Sequence, residues 1–332
     1  MAERGHIHSA LRRQLLAVLS AGGLHSGQAL AEACGVSRAA VWKQLDALER
    51  LGLGVERVKG RGYRLTHPLE LFDEGGIRQA LAPAWREALQ LNLLESADST
   101  NEWLAVHADF GGGPVACLAE AQPAGRGRRG RQWTCLYGAG IPLSLAWRFD
   151  VLDAPLSGLA PSIAVSIVNA LESMGARGLA LKWPNDVLCD AGKLAGVLIE
   201  LKGEPSGPCD LRVGVGLNWA APTGLDQPVA GLDQVFDGRR PSRSAVAGRV
   251  LSALCDALER FRCGGFAFFR EQWAARDCLA GRPVTLLLHE RSVNGHCEGV
   301  DAEGALLLRD GEGECRAWQV GEVSARLRRE AG

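Results

Sequence analysis

The sequence predicts an α+β multidomain chain in which a winged helix-turn-helix precedes a mixed α/β body. Three observations carry that reading. Two short cappable helices are separated by Cys34-Gly35-Val36 and followed by a basic hairpin. Between positions 115 and 217, apolar runs of strand length flank one long helical run. The charge is divided: residues 1–66 hold 10 Lys/Arg against 5 Asp/Glu, a net of +5, and the rest nets −6, within 332 residues whose total is −1.

The first helix runs from a cap at Ser9 to about Ser20, with Leu11, Leu15 and Leu19 at helical spacing, and stops at Gly22-Gly23. Ser26 caps a second helix with Ala29, Leu30 and Ala33 inward, ending at Gly35. Ser37 caps a third with Val41, Leu45 and Leu48 inward, ending at Gly52. Val55–Lys59, a turn at Gly60-Arg61-Gly62 and Tyr63–Leu65 complete a wing. The third helix is the one expected in a DNA major groove, with Ser37, Arg38, Trp42 and Lys43 on or near its reading surface. Arg57, Lys59, Arg61 and Arg64 are expected to meet phosphates from the wing.

Hydrophobic residues make up 47% of the chain and charged residues 23%, which fits a packed protein and not a disordered one. The near-zero total charge excludes a protein whose main task is coating nucleic acid. The ten Cys show no C-x-x-C pair, so they are expected to be small buried hydrophobes in a reducing compartment. The run Leu15–Leu19 is too short for a signal peptide core, and no apolar run reaches the ~18 residues of a membrane span. The expectation is a cytoplasmic protein without a membrane partner.

Thr66 to Phe72 contains Pro68 and lacks any period, which places a boundary there. Beyond it, Val115–Ala119, Leu143–Phe149, Val197–Leu201 and Leu211–Leu217 read as strands, and Leu159–Met174 as a helix.

Three clusters in the body carry chemistry. Gly125-Arg126-Gly127-Arg128-Arg129-Gly130-Arg131 formally matches G-x-G-x-x-G. No helix pattern follows it, however, and four Arg fit poorly in a dinucleotide turn. A mobile loop that closes over anions is the better reading, with glycines for close backbone approach and guanidiniums for bidentate contacts. Lys182-Trp183-Pro184-Asn185-Asp186 joins a cation, an aromatic, an amide and a carboxylate at a strand end, although Pro-Asn-Asp is also ordinary turn chemistry. Gly192-Lys193-Leu194-Ala195-Gly196 sets a Lys just before a buried strand, where it reaches a phosphate as a point charge or sits in solvent at a hairpin. Together the clusters describe a site for an anionic ligand.

These three segments, with Asp98-Ser99-Thr100-Asn101 and Gly214-Val215-Gly216-Leu217-Asn218, resemble the signatures of biotin–protein ligases. With the winged helix in front, nearly the whole chain is similar to the bacterial family of bifunctional biotin ligases and biotin operon repressors. The resemblance implies domains at 1–66 (DNA-binding), 67–278 (catalytic, similar to class II tRNA synthetases) and 279–332 (a small SH3-like barrel). It implies ATP and biotin as substrates, Mg²⁺, biotinyl-5′-AMP as intermediate, and a lysine of a biotin carboxyl carrier protein as acceptor. It also implies a homodimer that grips operator DNA when it holds the adenylate.

Carried onto this chain, the resemblance assigns biotin to Ser99, Thr100, Asn101, Gln122, Gly125, Arg126, Arg128, Lys193, Gly196, Gly214 and Gly216. It assigns the nucleotide to Arg128, Arg131, Trp133, Lys182, Asn185 and Asn218, and gives Lys193, Arg128 and Asp186 the catalytic roles, with Asp186 linked to Mg²⁺. Glu322 and Arg326 are implied to reach back to the nucleotide side. The chain departs from the family pattern at Cys135–Pro142, where relatives carry Ser-Pro and Gly-x-Asn-Leu. It also has no Trp between Ala220 and Leu232, which leaves Trp219 as a substitute aromatic lid over adenine. A ligase with a non-regulatory winged helix, a sensor without ligation and a lipoate ligase are the competing readings. The intact Arg/Gly loop disfavours the last.

Overall fold

In the computed structural model, which describes residues 10–152, 154–203, 208–225, 227–288, 292–319 and 324–327, two serine caps set the start of the chain. Helices α1 (Ala10–Ser20), α2 (Gly27–Cys34) and α3 (Arg38–Arg50) form the N-terminal module. The Ser26 hydroxyl accepts from the Ala29 amide and the Ser37 hydroxyl from the Ala40 amide, each satisfying an orphan donor worth about 1 kcal/mol. Gly35 ends α2 in the left-handed region, so α3 leaves at the angle of a helix-turn-helix. Strands β1 (Val55–Val58) and β2 (Gly62–Leu65) form the wing, with Val58 opposite Gly62. Ser9 lies outside the described residues. Leu30, Ala31 and Cys34 are the inward residues of α2; Ala29 and Ala33, expected inward, are exposed. Small apolar side chains do not fix which face of a short helix packs.

Helices α4 (Glu74–Ala80) and α5 (Pro83–Ala88) lead into the body. Its sheet comprises β3 (Gln90–Ser96), β4 (Val115–Ala121), β5 (Gly140–Phe149), β6 (Ala180–Lys182), β7 (Asp186–Cys189), β8 (Gly192–Gly203) and β9 (Cys209–Asn218). The order is β3-β4-β5-β9-β8-β7-β6, with only β3 and β4 parallel. Helix α6 (Thr100–His107) covers one face, where Leu104 packs with Val115, Cys117 and Ala146. Helices α7 (Leu159–Ser173) and α8 (Arg243–Gly264) cover the other, over Ala116, Leu118, Leu143 and Leu145. Covering both faces buries every residue of β4 and explains its unbroken apolar run. Gly192–Gly196 belongs to β8, so Lys193 lies within the strand and not before it.

The stretch Leu156–Ser173 is long and apolar enough to cross a bilayer. Twelve residues of α7 are nevertheless buried against the sheet and α8, as in a core helix. After α9 (Arg270–Ala274), strands β10 (Pro283–Leu287), β11 (Ser292–Val300), β12 (Leu306–Arg309), β13 (Cys315–Trp318) and β14 (Ser324–Leu327) form an antiparallel sheet in the order β13-β12-β11-β10-β14. Its Val284, Leu286 and Leu308 join the body's core. The cysteines are free thiols; Cys263 and Cys315 are exposed, against the expectation of burial.

The N-terminal module is joined to the body by side chains as well as by the chain. Leu16, Leu48 and Leu53 cluster with Ala121 and Tyr137. The Tyr137 amide donates to the Leu51 carbonyl at 3.1 Å, and Arg12 pairs with Glu95. Gly52 sits at φ +89° with the Leu136 side chain where a Cβ would be, so only glycine fits this approach.

Candidate active site and nucleic-acid interface

A cavity of about 730 Å³ opens on the α6 face of the seven-stranded sheet. Its inner end is polar. Thr100 begins α6, and its amide and hydroxyl both donate to Gln122 Oε1, at 3.0 and 3.1 Å. The Thr100 and Ser144 hydroxyls are 2.7 Å apart. Asn101 donates through Nδ2 to Glu200 at 3.0 Å, while its buried Oδ1 has no hydrogen-bond partner. Gly214 and Gly216 on β9 make the floor. A Cβ at Gly214 would meet Asn101 Oδ1, and one at Gly216 would meet the Trp133 indole. The Ser99 hydroxyl caps α6 by accepting from the Glu102 amide.

The outer end is cationic. Among the described residues, Arg126, Arg128, Arg129, Arg131, Lys182 and Lys193 line the cavity with one carboxylate, Asp186. The Arg/Gly loop folds back on itself: Gly127 donates to the Arg131 carbonyl at 2.6 Å and Trp133 to that of Gly125 at 2.8 Å. Arg126 pairs with Glu102 at 2.9 Å and with Glu200 at 3.1 Å. Arg128 donates to Asn185 Oδ1 at 3.3 Å; burial lowers its pKa most strongly, and Asp186 opposes that shift. Arg129 stands at φ +57° at the loop's tip and donates to the Leu287 carbonyl at 2.9 Å, which ties the loop to the C-terminal sheet.

Lys182 and Asp186 face each other across the β6–β7 turn. The turn's Trp183 is buried and donates to the Gly304 carbonyl, so the C-terminal sheet braces it. Asn185 donates to the Val197 carbonyl on β8, and Asp186 pairs with Lys193 at 2.6 Å. Lys193 Nζ lies 5.3 Å from the centre of the Trp133 ring.

Three residues assigned to ligand contacts stand elsewhere. Asn218 is buried and donates to the Lys193 and Ala230 carbonyls, so it fixes the start of β8 from outside the cavity lining. Gly125 packs against Gln122 and is also absent from the lining. Trp219 is buried beneath the Arg240 guanidinium, 3.5 Å from its ring centre, and cannot lie over a nucleotide in the cavity. The segment after Asn218 instead brings Leu225 and Gln227 to the rim. Glu322 lies outside the described residues, and Arg326 is placed only as the backbone partner of Thr285. Ser144 was missed because it sits inside an apolar strand run, and Glu200 because it ends one.

A second groove runs between α3 and the wing. Ser26, Arg38, Trp42, Lys59, Arg61 and Tyr63 line it. Trp42 is 51% exposed, far above what a core indole shows. The Arg57 guanidinium lies over Trp42 and Tyr63, and its pairing with Glu49 raises its pKa. Arg64 pairs with Glu56 at 2.6 Å. Two of the four basic wing residues expected at phosphates, Arg57 and Arg64, are therefore already paired within the module. Lys43 is exposed on α3 but outside the groove's lining, and Ser37 is occupied as a cap.

Three family models match: an HTH domain over residues 11–64, the biotin/lipoate A/B protein ligase family over 93–218, and the biotin protein ligase C terminal domain over 280–326. The bifunctional ligase/repressor BirA of Escherichia coli is 34% identical over 316 residues, covering 94% of this chain and 96% of that protein. The biotin–[acetyl-CoA-carboxylase] ligase of Paracoccus denitrificans is 35% identical, over 65% of this chain and 93% of its own. Among solved structures, the biotin protein ligase of Aquifex aeolicus in complex with biotin and ATP superposes with a TM-score of 0.61 at 28% identity, over 72% of this chain and 99% of that one.

Proposed function

The chain belongs to the family of bifunctional biotin ligase/repressors, and from that premise we propose that it condenses biotin with ATP and passes the biotinyl group to a carrier lysine. In the first step the biotin carboxylate attacks the α-phosphorus, a P–O bond forms, and pyrophosphate leaves. In the second, the amine of a lysine on a biotin carboxyl carrier protein attacks the mixed anhydride; the amide forms and AMP leaves. The observation that carries this reading is the cavity's polarity: among the described residues, six cations and one carboxylate stand at the outer end, and hydroxyl and amide groups at the inner end. Two anions meet there only if positive charge neutralises both.

Thr100, Gln122, Ser144 and Asn101 hold the ring end of biotin. Lys193 spans its carboxylate and the α-phosphate, and Asp186 holds the amine in place until the substrates arrive. Arg128 keeps the adenylate, and Arg131 meets the departing pyrophosphate. Arg126 turns from Glu102 and Glu200 to the carboxylate region. Lys182 and Asn185 hold the nucleotide. Trp133, seated on Gly196 and Gly216, shields the anhydride from water. One carboxylate with substrate phosphates and water is an ordinary Mg²⁺ donor set, so Asp186 would hold the ion, which when bound neutralises phosphate charge.

The same reading makes the chain a biotin-responsive repressor. The groove between α3 and the wing supports DNA contact through Arg38, Trp42, Lys43, Lys59 and Arg61, with Ser37 fixing the helix start. Dimerisation follows if loop ordering over the adenylate creates a surface the empty chain lacks. The domain limits are 1–66, 67–278 and 279–332, the middle unit similar to class II tRNA synthetases and the last an SH3-like barrel. The cell compartment is the cytoplasm, where carrier and operator lie. The test is adenylate formation from biotin and ATP-Mg²⁺, followed by a mass shift of an added carrier domain. Turnover with lipoate or octanoate but not biotin overturns the substrate; a biotin adenylate without carrier labelling overturns the ligase.

A further inference from the structure

Glu200, near the end of β8, touches both ends of the ligand apparatus without reaching into it. One oxygen accepts from Asn101 Nδ2 at 3.0 Å, and the other from Arg126 at 3.1 Å. Arg212, opposite it in register on β9, lies 3.7 Å away. Asn101 is 3% exposed, and its amide can present either end to the cavity. A carboxylate only accepts, so Glu200 forces Nδ2 toward itself. That leaves Oδ1 above the bare Gly214 backbone on the cavity floor, as a buried acceptor without a partner. A buried acceptor left unpaired is costly in the empty protein, which points to a ligand donor that satisfies it.

We propose that Glu200 is a positioning residue: it locks the Asn101 amide with Oδ1 facing the cavity, and Oδ1 accepts from a ureido N–H of biotin. The assignment rests on biotin being the ligand. It makes ring recognition depend on a charge that never touches the ring. In Glu200→Gln the new amide donates to Oδ1 as readily as it accepts from Nδ2. Asn101 then turns its own N–H groups toward the ligand's, and donor meets donor.

Calorimetric titration of the full chain with biotin tests this. Glu200→Gln weakens binding about tenfold, the scale of one mismatched buried hydrogen bond, and Glu200→Asp restores most of it. In turnover the loss falls on the biotin KM, with kcat within about threefold of the parent. The decisive arm uses the two ring carbamates in which oxygen replaces one ureido N–H. One isomer loses about tenfold on the parent chain but less than threefold on Glu200→Gln, because the lost bond is already gone. Unchanged biotin binding by Glu200→Gln, or an equal loss for both isomers on both chains, overturns the proposal. A loss matched by Arg126→Ala and insensitive to the isomers moves Glu200's role to the loop and likewise overturns it. A parent chain that binds no biotin sinks the ligase reading and this assignment with it; binding with an indifferent Glu200→Gln sinks the assignment alone.

Discussion

Arg243 and Glu120, neither with any solvent exposure, form an ion pair at the junction of the linker, the ligand sheet and α8. Arg243 also donates twice to the Gly140 carbonyl and once to that of Glu70, and stacks 3.7 Å from the centre of the Phe72 ring. The other Glu120 oxygen accepts from the Phe72 amide. Every charge and carbonyl in the cluster is answered, which is what makes a buried pair tolerable. Replacing Arg243 with Met strands the carboxylate, and we expect a loss of about 3–5 kcal/mol in urea unfolding, partly recovered by adding Glu120→Leu. A single substitution within about 1 kcal/mol of the parent would show that the pair is dispensable.

At the proposed reacting centre, Lys193→Ala removes the cation that Asp186 holds. Adenylation kcat is expected to fall ~10²- to 10³-fold, the range seen when a donor to developing charge is deleted. Biotin affinity should change far less. Pyrophosphate exchange with and without saturating biotin separates the two effects.

Arg128→Gly takes away a side chain that bonds Asn185 and closes the cavity's outer end. The adenylate should escape before transfer and label lysines of bystander proteins. Blotting for biotin on added serum albumin reads this directly. Retained adenylate together with unchanged carrier specificity would remove Arg128 from its role.

In the wing, Lys59 and Arg61 are the bases without an ion-pair partner at the groove, among the described residues, whereas Arg57 is matched by Glu49. Lys59→Ala and Arg61→Ala should each lower the salt slope of operator binding by about 1, as one phosphate contact does. Arg57→Ala should leave the slope nearly unchanged and weaken binding through its lost cover of Trp42. Affinities measured between low and moderate salt decide the matter.

The thiols divide by burial. Cys135 is pushed up to about 12 and Cys278 to about 11, both by burial, so neither forms thiolate near neutrality. Cys263 and Cys315 are exposed. A thiol reagent at pH 8 should titrate those two rapidly in the native chain, the half-buried Cys189 and Cys278 more slowly, and the six buried thiols only on unfolding. Fast reaction at Cys135 would mean that the ligand loop opens far enough to bare its root.

The winged helix was legible in the sequence because its determinants are local: Ser26, Gly35 and Ser37 set caps within a few residues of themselves. The Arg/Gly loop and Lys182–Asp186 were legible because unusual charges stand together. What escaped depends on pairing between distant strands. Ser144 reads as a polar lapse in an apolar run until β5 lies beside β9 and turns it toward Thr100. Glu120 hides in another such run until α8 brings Arg243 across 123 positions of sequence. Asn218 was assigned to the nucleotide by the family resemblance, whereas the chain spends its amide on two carbonyls. Trp219 failed as a lid for the related reason that Arg240 claims its face.

The leucines of α1 and α3 that rest on Ala121 and Tyr137 give the reading head no hinge of its own. A chain trimmed at the linker would carry a greasy scar one residue from Gln122, and the severed head would carry its mirror image. Neither half is a detachable cartridge. Engineers who want only the ligase should expect to resurface that seam.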